Sequence, residues 1–477
     1  MKSTIVAPCA RVSPSLFRSH RCALRPASVP VRIPRATSLG VEHRHGRSES
    51  SRSPLASRAA TTDAPTVVEY LKFSDNALEW GDLEKALEQK KISVGAKDVD
   101  PETGPANCGA NRRTFGKDGP IRVKLYRDRA AWCAFCQKVW MQLELKQIPY
   151  EVEFIPLGTQ GGKPEWYAKK FPNNTVPNME LDGEVVLESN PIMMKLEEVF
   201  PERPLFPEGA ELGKIIPRLD AWISYLNGEE DAEEKFHSQL DEVESMLVAS
   251  GGPYFLGKEI SLVDIDAVTI LERMNGMILC HKGVHMRASE RWPALGRWYD
   301  AMDTHPEYLA TKTDYFGISR ILPLLFPKAK TTEKGKPYKD VIEGKNGAWK
   351  LPLKPLSETI ESAAGENPEM DTYIAARQLI QNREAVVSFA LQGCDEKDRD
   401  DVKDGVECAL RHVATALLNG TNATELKVSS EEGIDGKNVV SALEFVRERV
   451  GVPRDFRLAQ ARQFRAHLNW MIDSVVA

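Results

Sequence analysis

Long apolar runs are missing from this chain of 477 residues. Stretches such as Ile321 to Phe326 fall far short of the ~20 residues that a membrane-spanning helix requires, so no membrane span is expected. Cysteine is scarce: eight residues, at positions 9, 22, 108, 133, 136, 280, 394 and 408, with one Cys-x-x-Cys and no second one. Such a set does not make a disulfide scaffold and argues against a four-cysteine zinc site; it points instead to a dithiol in a reducing compartment. A net positive charge is confined to the start of the chain. The first sixty residues hold eleven Lys or Arg, two acidic residues and eleven serines, which is transit-peptide composition and is set aside from fold reasoning. Residues 61–477 then carry 52 basic and 67 acidic side chains, a net charge of −15. Nucleic acid is not an expected partner, because phosphate contact requires positive surface.

Several familiar motifs are also incomplete. The stretch Gly158 to Pro164 lacks the spacing and the Ser/Thr of a phosphate loop. Between Asp395 and Asp404, Lys403 stands where a calcium loop would need glycine, and the acidic run suits the start of a helix better. Cys280, His281 and His285 resemble metal ligands, but Gly283 interrupts the helix between the histidines and no carboxylate follows, so no metal is expected.

What is present is a strand, a turn and a helix built around two sulfurs. Ile121, Val123 and Leu125 alternate with Arg122, Lys124 and Tyr126, the period of a half-buried strand. After the turn from Arg127 to Trp132, Phe135, Cys136, Val139, Trp140 and Leu143 share one helical face, so Cys133-Ala134-Phe135-Cys136 opens an amphipathic helix. A free thiol, with an ordinary pKa of ~8.5, is a poor nucleophile near neutrality. A helix start offers unpaired N–H groups and the positive end of a dipole, both favouring the thiolate, to which Arg127 and Arg129 stand close in sequence. Cys136, at i+3, is placed to resolve a mixed disulfide formed at Cys133. The plainer readings are two small buried apolar side chains or half of a zinc knuckle; the strand-turn-helix setting favours thiol chemistry.

Reading outward, Tyr150 to Ile155 forms a second strand, a short helix runs through Trp166 and Tyr167, and Asp182-Gly183 joins two short strands as a hairpin. Pro177 at the start of the first of these is a candidate cis residue. Ser189 is expected to cap the next helix, with Pro191 in its first turn. The order βαβαββα is that of a thioredoxin-like α/β domain. Beyond it every periodic stretch reads as helix, with Ser261 and Asp264 as a capping box. The expected organisation is a transit peptide (1–60), a linker or partly ordered lead-in (61–117), a thioredoxin-like domain (118–200), an all-helical domain (201–320), a linker (321–365) and a helical C-terminal extension (366–477).

With these residues in view, the chain from about Ile121 to Phe316 resembles the glutathione transferase superfamily, with a cysteine-type site. Lys163-Pro164-Glu165-Trp166-Tyr167, Val176-Pro177 and Glu188-Ser189 are similar to omega-class enzymes, and Ser261-Leu262-Val263-Asp264 looks like the capping box of the family's all-α domain. Tyr126-Arg127-Asp128 before Trp132-Cys133, Gln147-Ile148-Pro149-Tyr150, Glu272-Arg273-Met274-Asn275 and the long extension resemble the plastid iota-type transferases. The resemblance implies Cys133 as the nucleophile that forms a mixed disulfide with glutathione, and Cys136 as its optional resolving partner. It further implies that Lys163 meets a glutathione carboxylate, that Val176 before cis-Pro177 pairs with the cysteinyl unit, that Glu188 and Ser189 hold the γ-glutamyl end, and that Phe135 adds a backbone contact. One departure stands out: the family pattern is Cys-Pro-aromatic-Cys, and position 134 here is Ala. The missing proline restores an N–H and bears on redox poise more than on glutathione binding.

The implied activity is glutathione-dependent thiol transfer or reduction, of thioltransferase or dehydroascorbate-reductase type, acting on a small-molecule or glutathionylated substrate in the chloroplast stroma, or alternatively the mitochondrion. Glutathione is the expected co-substrate, with no metal. A second reading keeps the fold as a non-catalytic module that carries a ligand or docks a protein partner through the C-terminal extension.

Overall fold

The computed structural model of the chain describes residues 70–71, 77–157, 162–207, 212, 219–361, 365–424 and 434–476. The expected transit peptide lies outside them. The described chain opens with a two-residue strand β1 (Tyr70–Leu71) and a helix α1 (Trp80–Ser93). The α/β domain follows as β2 (Arg112–Arg113), β3 (Val123–Asp128), α2 (Ala134–Lys146), β4 (Tyr150–Ile155), α3 (Glu165–Lys170), β5 (Asn178–Leu181), β6 (Glu184–Leu187) and α4 (Ser189–Val199). Its sheet runs in the order β2-β4-β3-β5-β6, with β3 and β4 parallel and the other neighbours antiparallel. The βαβαββα core is thus the thioredoxin-like arrangement, with β2 added at one edge. In the hairpin between β5 and β6, Asp182 and Gly183 both take positive φ, 52° and 89°, the left-handed backbone that an Asp-Gly pair tolerates.

Helix α2 departs from the amphipathic expectation. Of its thirteen residues only Phe135 and Leu145 are less than fully buried. Its polar side chains are covered, and each charged one has a partner. Glu144 meets Arg113 across a buried pair at 2.9 Å, Lys138 meets Asp266 at 2.6 Å, and Lys146 meets Glu197 at 2.9 Å. A buried charge is tolerated only when paired in this way.

The all-α domain comprises α5 (Ala221–Asn227), α6 (Ala232–Ala249), α7 (Leu262–Lys282), α8 (Pro293–Met302), α9 (Pro306–Thr311) and α10 (Tyr315–Leu325). The expected capping box is present at the start of α7: the Asp264 carboxylate accepts from the Ser261 N–H at 2.9 Å and from its hydroxyl at 2.6 Å. Helix α7 is buried on nearly every side, so its inward polar residues Glu272, Arg273 and Asn275 must be satisfied within the protein. Trp292, Trp298 and Tyr299 pack in the core, as expected from their aromatic scatter.

Of the stretch 321–365, expected as a linker, residues 321–361 are packed. Helix α10 continues to Leu325, α11 (Lys336–Ile342) follows, and Phe326, Ile342 and Trp349 are buried in the same core as the all-α domain. Lys328, Lys334, Lys336 and Lys350 of this segment are exposed, whereas Pro323 lies within α10 and Gly335 is buried against the His281 backbone; sparse apolar side chains anchor the segment. The C-terminal extension holds α12 (Pro368–Gln381), α13 (Arg383–Ala390), α14 (Arg399–Asn419), β7 (Ile434–Asp435), α15 (Gly436–Arg447) and α16 (Leu458–Val476) around a second core. Leu83 and Leu87 of α1 are buried in that second core, and β1 pairs antiparallel with β7. The lead-in therefore belongs in part to the extension, a partnership across more than three hundred residues that local composition does not reveal. Among the described residues no helix is long and apolar enough to cross a membrane.

Candidate functional site

Strand β3 ends at Asp128, and the chain turns through Ala131, whose φ of 58° is rarely adopted by a residue with a side chain. Cys133 is the capping residue of α2, with extended backbone (φ −74°, ψ 112°), and is 9% exposed. The turn is held from below. The Asp128 carboxylate, fully buried, accepts from the Trp132 N–H at 2.6 Å and from the Cys133 N–H at 3.3 Å. It is held from the side as well. Arg273 of α7 donates to the Trp132 carbonyl at 3.0 Å and to the Gln137 side chain at 2.7 Å.

Arg127 is held by partners other than the Cys133 sulfur. Its guanidinium lies over the rings of Trp140 and Phe154, at 4.2 and 4.8 Å, and donates to the carbonyls of Cys108 and Asp128. Arg129 is exposed, with its guanidinium 6.0 Å from the Phe154 ring. Strand alternation puts Arg127 with Val123 and Leu125 on the face of β3 packed against α2, whereas Arg129 lies beyond the end of the strand. Arg127, close to the thiolate in sequence, thus belongs to the packing of the sheet.

The Cys133 thiol donates to the Val176 carbonyl at 3.6 Å. Val176 and Pro177 are joined by a cis peptide bond. The loop 173–178 that carries them is pinned by Asn178, whose side chain donates to the Tyr167 hydroxyl at 2.9 Å and the Thr175 carbonyl at 3.0 Å, and by the Tyr167 hydroxyl, which donates to the same carbonyl at 2.6 Å. Lys163 donates to the Asn174 carbonyl of this loop, and Glu188 accepts from the Asn173 side chain at 3.2 Å. Burial pulls the Lys163 ammonium below its ordinary pKa range, while Cys133 and Cys136 act to raise it. Helix α4 begins at Ser189, which is buried; Glu188 (φ 68°) takes the flanking position expected of Ser189. The helix starts one residue early because Glu188, with its left-handed φ, already sits outside it. Phe135 is half-buried, with the Lys138 ammonium 5.4 Å above its ring. One loop therefore links Cys133, Lys163, Val176, Pro177 and Glu188, while Phe135 and Cys136 sit in the first turn of α2.

Cys136 is almost fully buried, and burial pushes its thiol well above the ordinary range; the neighbouring Cys133 and the Asp128 charge add to the effect. Both cysteines are free. One donor atom each from Asp128, Cys133 and Cys136 lie within 4.8 Å of one another, the single such trio among the described residues and a donor set suited to a thiophilic divalent ion. Asp128 and Arg273 were not assigned a role from sequence. Asp128 has a local signal, a carboxylate closing a strand four residues before the turn's first N–H; Arg273, 141 residues from Trp132, has none.

The comparisons with known proteins agree with this geometry. The glutathione S-transferase N-terminal domain matches residues 132–199, and the glutathione S-transferase C-terminal domain matches residues 210–301. Glutathione S-transferase L3 of Arabidopsis thaliana is 30% identical over 194 residues, 38% of this chain and 79% of the relative. The chloroplastic glutathione S-transferase DHAR3 of the same plant is 32% identical over 146 residues, 30% of this chain and 55% of the relative. A crystal structure of Chlamydomonas reinhardtii dehydroascorbate reductase aligns with 43% of this chain and 98% of its own, at 24% identity and a TM-score of 0.37. A thioredoxin-like domain followed by an all-α domain, with a cysteine at the first helix start, defines a glutathione-transferase class of protein. The chain belongs to the glutathione S-transferase family.

Proposed function

We propose that the protein is a glutathione-dependent thiol transferase or reductase in which Cys133 is the nucleophile. The observation that carries this reading is the contact between the Cys133 sulfur, at the start of α2, and the Val176 carbonyl, on the loop to which Lys163 and Glu188 are also tied. In the proposed complex, Lys163 meets a glutathione carboxylate, the Val176 backbone beside Pro177 pairs with the cysteinyl unit, and Phe135 adds a backbone contact. The γ-glutamyl end lies at the start of α4, where backbone N–H groups near Ser189 suit its carboxylate and Glu188 suits its ammonium.

The proposed reaction is thiol–disulfide exchange. The Cys133 thiolate attacks the glutathionyl sulfur of a mixed disulfide; a new sulfur–sulfur bond forms, and the substrate leaves as a thiolate that takes up a proton. A second glutathione, as thiolate, attacks the glutathionyl sulfur, giving oxidised glutathione and restoring Cys133. The raised pKa of Cys136 favours this route over internal resolution, because a buried protonated thiol is a slow nucleophile. The transit-like composition of residues 1–60 and the chloroplastic relative support action in the plastid.

The test is turnover of a glutathionylated peptide with glutathione as reductant. Cys133→Ser is expected to abolish it; full activity in that variant would overturn the proposal.

A further inference from the structure

A cavity lies outside the two matched family domains, between α10, the segment 341–361 and α16, with a volume of about 520 Å³. That size falls in the range of small-molecule sites, roughly 300–1,000 Å³. Its floor is aromatic: Phe316 and Trp349 meet edge to face with ring centroids 5.0 Å apart, and Ile342, Leu351 and Leu458 extend the apolar surface. Its other wall is cationic. Arg462 and Arg465, one turn apart on α16, both line the cavity.

These arginines are built in. Arg465 is 2% exposed, and its guanidinium stands 4.5 Å from the Phe316 ring and 5.5 Å from the Trp349 ring. It donates to Asp314 at 2.6 Å and to the Val450 carbonyl at 2.8 Å, and its Nε is left without a partner. Arg462 donates to Glu366 at 3.2 Å and to the Lys354 carbonyl at 2.8 Å. Lys350 and Lys354 add exposed cations to the lining. Against them stand Asp314, Glu358 and Glu361. Glu361 accepts from the Tyr315 N–H at 2.9 Å. Burial, reinforced by Asp314, pushes its carboxyl up to about 8, with Lys312 and Arg465 opposing. Glu361 therefore holds its proton to higher pH than an ordinary carboxyl, and four cations, Lys350, Lys354, Arg462 and Arg465, face Asp314 and Glu358, with Glu366 paired to Arg462 at the edge of the site.

We infer that this cavity binds a small organic carboxylate with an aromatic body, its ring against Phe316 and Trp349 and its carboxylate toward Arg462 and Arg465. A neutral ligand would leave the cationic wall unused, and a polyanion would meet Asp314 and Glu358. An aromatic monoacid matches both faces, since ring packing and a charge-assisted hydrogen bond reinforce each other in a partly enclosed site.

The experiment is calorimetric titration of the full chain with 2-naphthoate and with its neutral counterpart 2-naphthamide, each with and without saturating glutathione. Naphthoate is expected to bind one to one, at least about tenfold more tightly than naphthamide, and independently of glutathione. Arg462→Gln is expected to weaken naphthoate and leave naphthamide unchanged, and Leu458→Trp to block both. Naphthoate affinity is expected to fall as pH rises from 7 to 9 and Glu361 ionises, a fall that Glu361→Gln removes. Equal affinity for acid and amide, competition by glutathione, or unchanged naphthoate binding in both Arg462→Gln and Leu458→Trp would each overturn the inference.

Discussion

The Arg273 guanidinium on α7 donates to the Trp132 carbonyl at 3.0 Å, one residue before Cys133. The same group reaches Gln137 in the first turn of α2 and the neighbouring carboxylate of Glu272 at 2.9 Å, so the all-α domain grips both sides of the cysteine turn. Arg273→Met is expected to cost about 3–5 kcal/mol, because it strands the buried Glu272. The effect has a sign in pH. Burial raises the Glu272 carboxyl above its ordinary range, and Arg273 opposes the rise. The folded protein thus holds a proton that the unfolded chain releases, and stability falls as pH climbs from the ordinary carboxylate value toward the raised one. Urea unfolding at pH 5 and pH 8 should show a larger alkaline loss in Arg273→Met than in the parent.

The two cysteines should separate in reactivity. With its thiol raised by burial, by Cys133 and by Asp128, Cys136 stays protonated through neutral pH. Iodoacetamide is expected to label the parent at Cys133 first, and Cys133→Ser to leave Cys136 slow. Cys136→Ser should keep most of the turnover with excess glutathione; its loss would make Cys136 the resolving thiol.

Asp128 is a positioning residue for the turn. Asp128→Ala removes the acceptor of two N–H groups and is expected to cost about 1–3 kcal/mol in denaturant unfolding. Asp128→Asn removes the charge that helps to raise Cys136, so alkylation of Cys136 in a Cys133→Ser background should quicken, as followed by mass spectrometry.

The ion pair between Arg465 and Asp314 joins the extension to the all-α domain, at 2.6 Å and with both side chains at most 2% exposed. Arg465→Met is expected to lower stability by about 3–5 kcal/mol, since Asp314 would remain buried and unpaired. Calorimetry should show the parent's extension melting together with the transferase domains, and an earlier, separate transition in the variant.

The strand, turn and helix around Cys133 were legible because period-2 alternation, a capping position and an Asp-Gly hairpin are local signals. The capping box at Ser261 and Asp264 was legible for the same reason. The direction of Arg127 was not legible because charge alone does not reveal the face toward which a strand residue points. The all-round burial of α2 was hidden because its polar face is covered by partners far along the chain, Arg113, Glu197 and Asp266. The segment 321–365 looked like a linker because its buried apolar side chains, Leu322, Phe326, Ile342, Trp349 and Leu356, are too widely spaced to form a periodic pattern. The pairing of β1 with β7 joins residues too distant for any local pattern to report.

The central claim, that Cys133 is the thiol that exchanges with glutathione, is tested most directly by intact-protein mass after incubation with oxidised glutathione. The account predicts one glutathionyl adduct, mapped to Cys133, removed by added glutathione and absent from Cys133→Ser. An adduct that persists in Cys133→Ser, or no adduct on the parent, would contradict it.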